Sequence, residues 1–126
     1  MVERAFWALI LLLVATPVGA HGFLFTWTDP TVRTDNTPLD PATELQAYRM
    51  RCEGAENAER IVDRAATTAL TGNQRQYDWT DAVTASGLYD CKMTALDTGD
   101  RESDWSNVAS VQKYTRPAPP TDFRTE

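Results

Sequence analysis

One histidine, two cysteines and one acid-rich loop are the groups in this 126-residue chain whose types and spacing can do chemistry. His21 lies in the stretch "PVGAHGFLFTW", next to a peptidase-like cut site. A histidine freed at an N-terminus chelates copper through its amine and imidazole, but a copper brace needs a second histidine and the chain has none. Ser-His-Asp and Cys-His catalysis need an imidazole held inside the fold, and the sole imidazole is at or before the mature terminus. Asp97, Asp100, Glu102 and Asp104 in "DTGDRESD" offer oxygen ligands for Ca²⁺. Their spacing is not that of a helix-loop-helix calcium loop, and a solvated turn is the simpler reading. Nothing in the pattern marks a cofactor site, and the chain reads as a non-enzyme.

The elements that position these groups begin after a leader. "MVERAFWALILLLVATPVGA" has one Arg near its start, an apolar run from Ala5 to Ala15, and small residues at Val18-Gly19-Ala20. This is a secretory signal peptide over residues 1–20, too short in its apolar part for a comfortable transmembrane helix. Cleavage after Ala20 leaves His21 first, and cleavage after Gly22 removes it. A membrane enters only if the leader is kept as an anchor. Removing Glu3 and Arg4 takes one charge of each sign, so the net charge stays at −6. Such a surface repels phosphates, which argues against nucleic acid as a partner. In an exported chain Cys52 and Cys91 are expected to form a disulfide, because two thiols and one terminal imidazole do not complete a zinc shell.

From Phe23 the patterning has period two, cut into short runs by Gly, Pro, Asn and Asp clusters, as in an all-β sandwich. Phe23, Phe25 and Trp27 share one face. "TDPTVRTDNTPLDPATEL" is too broken for an element and reads as a long connection. "QAYRMRC" is a half-buried strand with Tyr48, Met50 and Cys52 inward. "ENAERIVDRAATTAL" fits a helical stripe too, but a strand over 60–66 agrees better with its neighbours. "QRQYDWT", "GLYDCKMTALD" and "WSNVASVQKY" supply further strands. One domain over residues 21–115 and a proline-rich tail over 116–126 follow. Trp27 and Trp79 are core fillers, whereas Trp105, flanking the acidic loop, is a candidate for the surface.

"FTWTDPTVRTDNTPL", "AYRMRC" and "GLYDCKMTALDTGDRESDWSNVASV" together resemble the bacterial form of the fibronectin type III domain, in order and spacing, from Phe23 to about Tyr114. The resemblance implies an immunoglobulin-like antiparallel sandwich with Trp27 on the second of seven strands, Tyr48 on the third and Tyr89 near the start of the sixth. There such a tyrosine ties a loop to the sandwich. It also implies that Cys52 and Cys91 lie on neighbouring antiparallel strands of one sheet. Only a couple of residues separate the expected cut from Phe23, so the family's first strand is missing. The edge over Phe23 to Thr28 is then expected to be open to a strand from a partner protein or a second copy.

These readings converge on a non-catalytic, exported, periplasmic or extracellular binding module that engages a protein partner, with Phe23, Leu24 and Trp105 as its candidate interaction surface. The alternative is a small metal- or carbohydrate-binding exported protein using His21 or the loop acids.

Overall fold

The computed structural model describes residues 12–15 and 23–125. His21, the cut sites after Ala20 and Gly22, and most of the leader lie outside the described residues. Two four-stranded antiparallel sheets form a β-sandwich. One sheet has the order β1 (Leu12–Ala15), β2 (Leu24–Thr28), β6 (Gln74–Asp78), β5 (Thr68–Ala69). The other has the order β4 (Asn57–Asp63), β3 (Leu45–Glu53), β7 (Gly87–Asp97), β8 (Ala109–Lys113).

Alternation of side chains closes the two sheets on each other. Phe25 and Trp27 of β2, Tyr48, Met50 and Cys52 of β3, and Tyr89, Cys91, Met93 and Ala95 of β7 are all buried. Phe23 meets the Tyr89 ring edge-on at 5.5 Å, and Trp27 meets Tyr48 at 4.9 Å. Trp79 is buried as well, just beyond β6.

Three expectations are corrected. The long connection after β2 contains a four-residue helix, α1 (Pro41–Glu44). Asp40 caps it by accepting the Ala42 N–H at 3.1 Å, Glu44 accepts the Asp40 N–H at 2.9 Å, and proline takes the first helical position, where no donor is needed. The strand placed over 60–66 is instead β4, and Arg64–Ala66 form a single tight turn beyond it. Within β4, Val62 is buried while Ile61 is half exposed, as alternation requires. Finally, the first sheet does not lack an outer strand. Leu12–Ala15 pairs antiparallel with β2, with Leu13 opposite Trp27 and Ala15 opposite Phe25. An apolar run that suits a signal peptide also suits a strand, because both need uninterrupted uncharged residues.

Candidate functional site

The edge of β2 is set by which way its backbone groups point. The Phe23 carbonyl accepts the Trp79 N–H at 2.7 Å, and the Asp29 N–H donates to the Asn73 carbonyl at 2.9 Å. Both bonds run to the β6 side. In extended backbone every second residue points the same way, so Phe25 and Trp27 also face β6, and Leu24, Thr26 and Thr28 face outward toward β1. Besides β1, β2 has β6 as its neighbour, so Thr26 and Thr28 of the outward row are covered by Val14 and Leu12 of the expected leader.

A buried polar cluster fixes the end of β2. Asp29, wholly buried, accepts the Tyr48 hydroxyl at 2.5 Å and the Trp27 indole N–H at 3.2 Å. Arg64 reaches its other oxygen at 3.3 Å from the turn after β4. Burial first, then the Asp29 carboxylate, push the Tyr48 hydroxyl well above the ordinary phenol range. Sequence patterning missed this cluster, because an Asp before a proline reads as a turn residue and Arg64 lies 35 positions away.

At the end of the sandwich where β7 finishes, a groove of about 530 Å³ lies between the loop after β2 and the loop joining β7 to β8. Leu39, Leu45, Ala95 and Trp105 give it an apolar lining. Asp97 braces it, accepting from Arg33 and Arg101 side chains at 2.8 Å each and from the Gly99 and Arg101 backbone N–H groups. Burial works to raise the Asp97 carboxyl, but these donors outweigh it and hold the group far below the usual carboxylate range. Glu102 accepts from Thr94 and Arg49, which hold it low against burial, and Asp100 accepts from Gln46. Asp97, Asp100 and Glu102 thus turn their oxygens toward their own chain's donors. Among the described residues no cluster of acids, histidine or cysteine has metal-binding geometry.

Of the candidate surface residues, Trp105 is 39% exposed, with the Lys92 ammonium 4.6 Å from its ring centre. Leu24 is half-buried on the outer face of β2. Phe23 is corrected: it is fully buried against Phe25 and Tyr89, because its odd position shares the inward face of β2. The structure does not bring Phe23, Leu24 and Trp105 onto one surface. Trp79 is buried, in keeping with its expected place as a core filler.

Cys52 and Cys91 stand directly opposite on β3 and β7 and form a buried disulfide, their Cα atoms 4.1 Å apart. A buried disulfide fits an oxidising, exported setting. Two residues before Cys91, the Tyr89 hydroxyl donates to the Ala85 carbonyl at 2.8 Å. Glu56 secures the same loop from the turn after β3, accepting from the Ala85 and Thr84 N–H groups. Among the described residues no helix is long and apolar enough to cross a membrane.

No protein-family model and no curated protein matches the sequence. Part of the solved structure of astrotactin-2, described as a conserved vertebrate-specific and perforin-like membrane protein involved in neuronal development, is similar at 15% identity and a TM-score of 0.45. The similarity covers 85% of this chain and 21% of that one, so the chain spans about a fifth of that protein.

Proposed function

We propose that this chain is an exported, non-catalytic interaction module of the fibronectin type III kind, and that its β2 edge is the surface that binds a protein strand. The observation that carries the reading is the strand that covers that edge: Leu12–Ala15, which pairs with β2, lies in the apolar run expected to be a leader that a signal peptidase would discard. Processing leaves the outward N–H and C=O groups of Leu24, Thr26 and Thr28 without ladder partners, a template for strand addition. The Tyr89–Ala85 corner bond two residues before a cysteine, and an open pair of four-stranded antiparallel sheets, support the family assignment. The groove acids and arginines engage one another, so the pattern favours recognition over chemistry.

The test is mass spectrometry of protein recovered from the cell envelope or medium, followed by amide exchange over a dilution series. The expected result is a chain beginning at His21 or Phe23, with Phe25 and Trp27 amides slow at every dilution and Leu24, Thr26 and Thr28 amides slow only when a binding molecule is present. A chain that retains Leu12–Ala15, or a monomer whose outward amides are slow with nothing else bound, overturns the proposal.

A further inference from the structure

Natural sheet edges are guarded. Edge strand β4 carries Glu59, Arg60 and Asp63, β8 ends on Lys113, and β5 is two residues long. By contrast β2 is "LFTWT", with no charge, no proline and a composition that favours strands throughout. As a processed edge it has none of the devices that prevent pairing with a copy of itself.

We propose that the occupant of this edge is a second copy of the chain, paired antiparallel through β2 about a two-fold axis at Thr26; the inference rests on removal of the leader as argued above. Self-complementarity follows from the backbone directions. Because Leu24, Thr26 and Thr28 all point outward, centring the pair on Thr26 sets Thr26 opposite Thr26 of the copy and Leu24 opposite Thr28, so the three outward positions of each strand find partners. The same alignment sets Phe25 opposite Trp27 of the copy on the inward face, an aromatic cross-strand pair. Centring on any other outward residue leaves part of the row unpaired. Two chains of net charge −6 repel each other, and the uncharged strip is the place where they approach without adding like charges in contact.

Directly opposite residues that exchange ladder bonds have Cα atoms about 5.5 Å apart, within reach of a disulfide. The processed protein carrying Thr26→Cys is therefore expected to form a covalent dimer under mild oxidation, whereas Leu24→Cys alone does not, since Leu24 is four positions out of alignment with its own copy. Light scattering is expected to give twice the processed mass, with dimerisation strengthened by added salt. Thr26→Pro, which removes an outward N–H and leaves the β6 ladder intact, is expected to halve the mass while preserving the β-type circular dichroism. A processed wild type that stays monomeric at all concentrations, with freely exchanging outward amides, overturns self-pairing while leaving the edge open for another protein. A monomer whose outward amides are protected by its own chain overturns both readings. A dimer that persists in Thr26→Pro, or in which Leu24→Cys crosslinks as well as Thr26→Cys, places the contact elsewhere and overturns this one.

Discussion

Replacing Tyr48 by phenylalanine tests whether the buried Asp29 cluster holds the two sheets together. The ring is fully buried and packs edge-on against Trp27, and phenylalanine keeps both features, so the substitution isolates the hydroxyl. That hydroxyl donates at 2.5 Å to a carboxylate with no exposed surface, which is left with the Trp27 indole and Arg64. A hydrogen bond to a charged group contributes about 1.5–3 kcal/mol, and a buried carboxylate oxygen left with only the longer indole bond places the cost toward the upper part of that range. In a domain of about 100 residues each kcal/mol moves Tm by about 4–8 °C, so a fall of about 10 °C or more is expected. Urea unfolding of wild type, Tyr48→Phe, Asp29→Asn and the double variant should show unchanged m-values and a coupling energy above about 0.5 kcal/mol between the two sites. A Tyr48→Phe loss below about 0.5 kcal/mol, or strictly additive losses, would refute the claim that this bond ties β3 to the end of β2.

Reducing the disulfide, or Cys52→Ala with Cys91→Ala, is expected to cost about 4 kcal/mol from the chain entropy of the loop it closes, seen as a drop in the urea midpoint relative to the oxidised protein. Asp97 has its carboxyl held below the unfolded value of 3.8, so its contribution is complete above that pH, and the unfolded chain takes up its proton first as pH falls. Wild type should therefore lose stability between about pH 5 and 2 more steeply than Asp97→Asn, and parallel acid limbs in the two proteins would count against the bracing role. A methyl group at Gly54 would meet the Tyr89 ring at 2.6 Å and the Leu88 carbonyl at 2.8 Å. Gly54→Ala should accordingly destabilise by about 1–3 kcal/mol in chemical denaturation.

The elements that two-residue alternation specifies were legible in the sequence. Phe25 and Trp27, Tyr48, Met50 and Cys52, and Tyr89, Cys91, Met93 and Ala95 fall inward as their spacing dictates, and the half-cystines meet because their strands are adjacent. What alternation does not encode was illegible. The turn at Arg64–Ala66 ends β4 early, where Arg64 reaches a carboxylate 35 residues back, and no local pattern reports such a partner. The helix at Pro41–Glu44 rests on one capped turn, too short to show a period. Leu12–Ala15 carries the same apolar composition whether it targets export or adds a strand, so the two roles share one signature. Phe23 falls on the buried face that its spacing with Phe25 and Trp27 gives it, and that burial removes it from the candidate interaction surface.

The bond between Cys52 and Cys91 has a consequence beyond stability. It pins the two central strands of their sheet at one rung, and sliding either by a single residue would turn Tyr48 and Met50, or Tyr89 and Met93, out to water. With the pin in place that slippage is covalently barred, even in a chain whose remaining strands have come apart. An oxidised chain therefore begins refolding with its central ladder already aligned, whereas a reduced one must find that alignment by search.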